Sequence, residues 1–369
     1  MRFHKVVGQT SLKKQLIDGV NAGRIPHAQL FLGKPGSGTL PMALAYAQYV
    51  SCLKRQENDS CGECSSCRKY ETYTHPDLHF SFPYPTKVKD DLASDYMKEW
   101  RSALAINPYM NFEGWMQHME AENKQGNIPI RELRSIIRGL SLKPFESEFK
   151  VLVLWLPEYM GQEGNVLLKI IEEPPQNTLF LLVGEKSDRI LNTIISRTQP
   201  VRVPPIKTDD ISSYLMREFD VDEIHGSRFA LMSHGDLNLA KALTQETENP
   251  YFQQWRNWMS ICYTRKMGDA VKWSDEMSGI GRETLKSFFL YGLEILRGIM
   301  VFGYSQQAGS WSAQEQDFIQ KFSSLDIPIS QLEKIILGIE DAISNIERNA
   351  NAKMVLTDLS FVVARNLKK

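Results

Sequence analysis

Neither sign of charge prevails in this chain. Lys and Arg number 43 against 44 Asp and Glu, a net charge of −1. That balance excludes a global electrostatic footprint for nucleic acid or a membrane surface and leaves room only for a local patch. Long apolar runs are missing as well: stretches such as Val151 to Leu156 fall far short of a bilayer span. The opening Met1-Arg2-Phe3-His4-Lys5 has no apolar core of the kind a signal peptide needs, so a cytoplasmic protein is expected. Cysteine is scarce, five in 369 residues, which argues against a disulfide framework. Internal repeats and low-complexity segments are not evident. What is plentiful is apolar side chain, 42% of the total, enough for real cores across two or three domains.

The same logic of absence applies to the most informative segment. Gly33-Lys34-Pro35-Gly36-Ser37-Gly38-Thr39-Leu40 has the glycines of a phosphate-binding loop, following a strand-like Ala28 to Leu32 and opening a helix over Pro41 to Val50. The pattern G-x-x-x-x-G-K-[ST] calls for a lysine and then a hydroxyl residue after its last glycine. Thr39 stands in place of the lysine, and Leu40 in place of the hydroxyl residue. The lysine offsets phosphate charge and the hydroxyl ligates Mg²⁺, so Gly33, Gly36, Gly38 and Thr39 can offer backbone N–H groups alone. A later strand, Lys150 to Leu154, would end in two acidic residues in an active ATPase, but Trp155 and Leu156 occupy those places. Glu158 lies further along and reads as a surface carboxylate. Four replaced positions predict no ATP binding and no autonomous hydrolysis.

Four of the five cysteines fall together in Cys52-x8-Cys61-x2-Cys64-x2-Cys67. Thiolates at C-x2-C spacing converge on one tetrahedral ion, and Gly62 gives the backbone freedom a tight metal turn wants. A structural zinc is predicted; an iron–sulfur cluster and four unrelated thiols are the alternatives. Cys262 is remote and reads as a buried small hydrophobe.

The first two hundred residues alternate strands with helices. Expected strands are Gln29 to Leu32, Asp77 to Phe82, Phe149 to Leu156, Thr178 to Val183 and Pro200 to Val203, with helices over Ile130 to Leu140 and Gly164 to Glu172. The alternation predicts an α/β domain with a largely parallel sheet. From about Lys207 the pattern turns helical: Asp209 to Phe219, Gly226 to Leu243, and Ser330 to Glu347 with Leu332, Ile335, Ile336, Ile339, Ile343 and Ile346 on one core-facing stripe. Residues 84–127 read as an aromatic-rich, strand-poor insertion.

An ordered series of short runs carries a family resemblance. Val7-Gly8-Gln9 and Arg24-Ile25-Pro26-His27-Ala28 precede the loop, and the cysteine module and His75-Pro76-Asp77 follow it. Then come Ile130-Arg131-Glu132-Leu133-Arg134, Leu140-Ser141-Leu142-Lys143-Pro144, Asn165-Val166-Leu167-Leu168-Lys169, Glu172-Glu173-Pro174-Pro175 and Ile195-Ser196-Arg197-Thr198. Asn349-Ala350-Asn351-Ala352 adds a weaker match in the last third. The chain resembles the delta-prime-like subunits of the bacterial DNA polymerase III clamp loader, within the AAA+ clamp-loader family.

The resemblance implies an AAA+ P-loop-type α/β domain over 1–205 that carries the zinc module, a small helical lid over 206–249, and an all-α collar over 250–369. It implies a hetero-oligomer with clamp-loader ATPase subunits and the delta subunit, acting on the sliding clamp and primed DNA in DNA replication. The expected role is a stator without turnover of its own, lending Arg197 of a Ser-Arg-Cys-type motif to ATP on a neighbouring subunit. Here the motif reads Ser196-Arg197-Thr198. Arg189 is a weaker candidate. Family ATPases carry an arginine near the place of Leu239, with Lys241 as a conceivable substitute. Two other readings stand beside this one: a motor ATPase using Lys34 and Glu158, and a zinc protein that binds DNA through Lys54, Arg55, Arg68 and Lys69, diluted by Glu57, Asp59 and Glu63.

Overall fold

The computed structural model describes residues 1–85, 90–122, 124–245, 250–305, 311–325, 327–348 and 350–367. The chain divides into two compact units: Met1–Glu218 with His234–Ala240, and Phe219–Ser233 with Lys241–Lys369.

The first unit is built on five parallel strands, β1 (Ala28–Leu32), β2 (Leu78–Ser81), β3 (Lys150–Trp155), β4 (Thr178–Gly184) and β5 (Gln199–Arg202), in the order β2-β3-β4-β1-β5. All five expected strands are present, with boundaries shifted by at most one residue at either end. β3 and β4 are buried along their whole length. Sequences such as Val-Leu-Val-Leu and Leu-Phe-Leu-Leu-Val suit a strand covered on both faces, where alternation has no role. One face packs on the helix Thr39–Val50, whose side chains are all buried, and on the aromatic residues of 84–127. The other packs on the helices Ile130–Leu140 and Leu168–Glu172.

Residues 84–127 leave the sheet and return at one point. Tyr84 N donates to Asn127 O at 3.1 Å and Asn127 N to Tyr84 O at 3.3 Å, an isolated antiparallel bridge that closes the segment at its base. Between them, Trp100 of the helix Met97–Ile106 stacks on Phe82 at 4.1 Å and meets Trp115 of the helix Phe112–His118 edge-on at 5.2 Å. The aromatic richness seen in the sequence thus joins the core on that face of the sheet; residues 86–89 and 123 lie outside the described residues.

Two motif runs far apart in sequence meet between the helix Ile130–Leu140 and β3. The Asp77 carboxylate accepts the backbone N–H groups of Phe145, Glu146 and Ser147 at 2.5, 2.8 and 2.8 Å. The buried Lys150 ammonium donates to the carbonyls of Gly139, Leu140 and Leu142. Each buried charge thereby has its partners, which the low dielectric requires.

The second unit is helical among its described residues. Its stripe on the helix Ile329–Glu347 faces inward: Leu332, Ile335, Ile339 and Ile346 are buried, with Ile336 and Ile343 partly so. Cys262 is buried, as expected. Arg228 pairs with Glu315, whose carboxylate also accepts from Tyr291 Oη at 2.7 Å and from Ser312 N at 2.9 Å. The helix expected over Gly226 to Leu243 is instead two, Glu223–Met232 and Leu237–Gln245. His234 at φ +48 and Gly235 at φ +87 break it. Asp236 Oδ1 then caps the new start by accepting the N–H groups of Asn238 at 2.8 Å and Leu239 at 3.2 Å. Asn349, part of the weak C-terminal match, and residues 246–249 lie outside the described residues.

Burial pushes the Asp77 carboxyl up, but the three N–H donors outweigh it and hold it below the ordinary value. A depressed folded pKa means stabilisation that is complete above the unfolded value of about 3.9 and lost as pH falls through the folded one. Asp77→Ala is expected to cost about 2 kcal/mol or more at pH 7. Urea denaturation at pH 7 and at pH 3 checks this: the gap between wild type and variant should shrink in acid, and a gap that persists contradicts the assignment.

Candidate functional site

The phosphate-type loop sits where the sequence puts it, between β1 and the helix Thr39–Val50, with Gly36 at φ +69 and Gly38 at φ +93. Only glycine adopts these conformations without strain. The loop is packed closely by other parts of the chain at its glycines and carbonyls. A Cβ on Gly36 would lie 1.8 Å from Asp236 Oδ1, and one on Gly38 3.1 Å from the Tyr109 ring. Leu237 N donates to Gly36 O at 3.2 Å, and Gln9 Nε2 donates to Ser37 O at 3.2 Å. Asn238 fastens this segment: its Oδ1 accepts from Asn107 Nδ2 at 2.7 Å and its Nδ2 donates to Tyr109 O. Thr39 and Leu40 are buried, and Lys34 is exposed.

The second expected ATPase position is equally closed. Trp155, 2% exposed, packs against Trp100 at 5.1 Å, so the strand end that would carry an acid adds to the aromatic core. Leu156 is buried beside it at φ +55. Glu158 corrects the expectation of a surface carboxylate. Its Oε1 accepts the N–H groups of Glu185 at 2.9 Å and Lys186 at 3.2 Å, and its Oε2 is buried without a hydrogen-bond partner. Burial pushes Glu158 up, and burial with Glu158 alongside pushes Glu185 up to about 8. Asp236 acts on Glu185 in the same direction. The Lys186 ammonium lies near both carboxyl groups and acts on them in the opposite direction.

The cysteine module is the best-formed ligand set. The four Sγ atoms of Cys52, Cys61, Cys64 and Cys67 lie within 4.8 Å of one another. Cys61 Sγ is 3.6 Å from Cys52 Sγ and 3.8 Å from Cys67 Sγ. A tetrahedron with Zn–S bonds of about 2.3 Å has edges of about 3.8 Å, so the donor set fits zinc. The peptide N–H of Cys61 points at Cys52 Sγ (3.3 Å), that of Cys64 at Cys61 Sγ (3.4 Å) and that of Cys67 at Cys64 Sγ (3.4 Å), which stabilises thiolate charge. Burial raises the Cys61 thiol, and the N–H groups of Cys64 and Glu63 with the neighbouring sulfurs more than reverse this, leaving it at about 7. The ion would serve as a cross-link. It would hold the loop 52–64 to the helix Ser65–Glu71, and Asp59 of that loop accepts the N–H groups of Phe3 and His4 at 3.0 Å each.

The basic residues around the module are partly committed elsewhere. Arg55 closes the end of the helix Thr39–Val50 through the carbonyls of Tyr49 and Val50, and Lys69 pairs with Glu146. Lys54 and Arg68 are exposed.

Arg197 follows the short helix Asn192–Ile195. Its guanidinium pairs with Glu172, and Nη1 donates to Thr193 O at 3.0 Å. Ser196 Oγ donates to Thr193 O at 3.2 Å. Thr198, where the motif has cysteine, is buried, and its hydroxyl bonds back to Ile194 O at 3.2 Å and Ile195 O at 3.1 Å, which explains why a small hydroxyl residue fits. Arg189 is exposed on another turn. Sequence reasoning did not find Glu172 as the partner of Arg197, nor Asp236 and Asn238 as the covering residues. The Gly235-Asp236 pair, a helix stop followed by a helix start, was the available signal for the latter.

Residues 8–207, more than half of the chain, match the family described as DNA polymerase III, delta subunit. DNA polymerase III subunit delta' of Bacillus subtilis (strain 168) is 27% identical over 236 residues, 64% of this chain and 58% of that protein. DNA polymerase III subunit gamma of Buchnera aphidicola subsp. Acyrthosiphon pisum is 25% identical over 253 residues, 67% of this chain and 59% of that protein. The chain thus spans less than two-thirds of the length of either relative. Among solved structures, a DNA polymerase III gamma subunit-related protein of Thermotoga maritima aligns over 98% of this chain and 100% of its own at 15% identity, with a TM-score of 0.37.

Removal of the metal should loosen the module. Protein purified without chelator is expected to hold one zinc per chain by elemental analysis. Cys64→Ser or prolonged chelation should release it and lower the thermal midpoint, because metal binding and local folding are one equilibrium. Full stability with no metal present would contradict the structural role.

Proposed function

This chain belongs to the DNA polymerase III delta-subunit family of clamp-loader proteins, and from that membership we propose that it is a non-catalytic, stator-like subunit. In this reading it lends Arg197, with Ser196 in the motif, to ATP held by a neighbouring subunit during sliding-clamp loading. The observation that carries the proposal is the setting of the phosphate-type loop: Gly36 lies against the Asp236 carboxylate, a negative group beside a loop that in an ATPase holds phosphate. The relatives include both delta' and gamma subunits, so similarity alone does not separate the roles. The replaced lysine, hydroxyl and acidic positions, Thr39, Leu40, Trp155 and Leu156, favour the stator.

Arg197 has the chemistry for the task. A guanidinium directed at a γ-phosphate stabilises the charge that builds on the transferring group, and one supplied by another subunit can be worth ~10³ in rate. Proposed partners are the ATPase subunits and the delta subunit, with the sliding clamp and primed DNA reached through the complex. A helical lid over 206–249 and an oligomerising collar over 250–369 belong to the same reading. So does a place in the DNA-directed DNA polymerase III holoenzyme without autonomous activity. None of the described helices is long and apolar enough to cross a membrane.

The motor reading is disfavoured by the exposed position of Lys34 at the wrong end of the loop and by Glu158, which is tied to the backbone of Glu185 and Lys186. Direct DNA binding by the cysteine module is disfavoured by the engagement of Arg55 and Lys69.

Two measurements test the proposal. Calorimetry of the full chain with Mg²⁺ and millimolar ATP should give no saturable heat, and clear binding would revive the motor reading. In the reconstituted complex, Arg197→Ala should slow DNA-stimulated hydrolysis at the adjoining site by about 10³-fold. An unchanged rate would remove the trans-acting arginine.

A further inference from the structure

Arg197 is held at two of its three nitrogens. Its Nε donates to the Glu172 carboxylate and its Nη1 to Thr193 O at 3.0 Å, with Ser196 Oγ at 3.4 Å. Nη2 donates to no described residue. The elements that supply these contacts are fixed from beneath. Glu172 ends the helix Leu168–Glu172, anchored by the buried Ile170 and Ile171. Thr193 lies on the helix Asn192–Ile195, anchored by the buried Ile194. Gly164, on the turn Gly161–Leu167 that leads into the first of these helices, packs against the second: a Cβ there would lie 3.2 Å from Ile194 Cδ1. Thr193 Oγ1 donates to Asn165 Oδ1 at 3.2 Å across the same contact.

We infer that Glu172 is a positioning residue for Arg197, holding Nε while Thr193 O holds Nη1, so that Nη2 is presented to an anionic group on an adjacent molecule. The inference rests on the proposed trans-acting role and names a residue that role does not require. Its physical basis is preorganisation. A free arginine has many rotamers to lose on engaging a phosphate, whereas one already held loses fewer. With side chains 34% and 47% exposed, the Arg197–Glu172 pair contributes little to stability, so its effect should be read in rate and not in folding.

The reaction served is the hydrolysis of ATP on the partner. The water oxygen bonds to the γ-phosphorus, and the bond from that phosphorus to the bridging oxygen breaks. Its electron pair departs with ADP, and the water protons end on inorganic phosphate and solvent. Arg197 donates hydrogen bonds to the phosphoryl oxygens and exchanges neither proton nor electron, and Glu172 touches none of the reacting atoms.

The test is a double-mutant cycle in the complex reconstituted from full chains, reading kcat and KM for DNA-stimulated ATP hydrolysis. Glu172→Ala should lower kcat at the adjoining site by about 10-fold with KM within about twofold, since orientation and not binding is lost. Glu172→Gln, which keeps the length and one acceptor, should recover part of that loss, and it carries the test if the alanine variant assembles poorly. Glu173→Ala, on the neighbouring exposed residue, should leave the rate unchanged. Arg197→Ala combined with Glu172→Ala should be no slower than Arg197→Ala alone, because the two act as one unit. A slow Arg197→Ala beside fully active Glu172→Ala and Glu172→Gln variants would overturn the positioning role and leave the trans-acting arginine standing. A silent Arg197→Ala would overturn both. Additive losses in the double variant would show that Glu172 acts independently, and the inference would fall.

Discussion

A parallel strand covered on both faces admits almost nothing but apolar side chains, and that constraint governs the first unit. β3 and β4 are buried throughout, so whatever chemistry the sheet can present must lie beyond their carboxyl ends. At those ends the chain supplies its own occupants. Trp155 joins the aromatic core of 84–127, Glu158 binds the turn after β4, and Asp236 lies on the loop after β1. The charge at the entry of β3, Lys150, obeys the same constraint by spending its donors on three carbonyls. A sheet closed at its carboxyl ends leaves the periphery as the place for function, and Arg197 is found there.

The peripheral features share a construction. The cysteine module, the turn held by Asp77 and the Glu172–Arg197 pair are each short irregular segments fixed by a few polar contacts to regular elements. None depends on a large apolar interface of its own. Loops built this way keep a defined shape while remaining exposed, as a surface meant to meet other molecules must.

Much of this was legible in the sequence because the signals were local. The five strands announced themselves as short apolar runs bounded by turn residues. The cysteine spacing named its own geometry, and the replaced loop residues could be read against a fixed pattern. What escaped notice depended on distance along the chain. Glu158 looked like a surface carboxylate because the N–H groups it accepts belong to Glu185 and Lys186, beyond the next strand. The pairing of Glu172 with Arg197 spans 25 residues and leaves no periodic trace. The broken helix after Gly226 is a different failure. Apolar residues on either side, Leu231 and Met232 before and Leu237 and Leu239 after, masked a glycine stop and an aspartate start that were present in the letters.

In the proposed reading, in which the chain holds no nucleotide, the burial of Trp155 gives that loss a direction in time. An acidic residue restored there would be a carboxylate pressed against Trp100 in a dry aromatic cluster, at a cost of several kcal/mol. A lysine at Thr39 would enter a position now buried, beside a loop already roofed by Asp236. Neither change helps without the other, and each alone threatens the fold. On that reading the sheet end works as a ratchet: single substitutions can empty such a site, and no single one refills it.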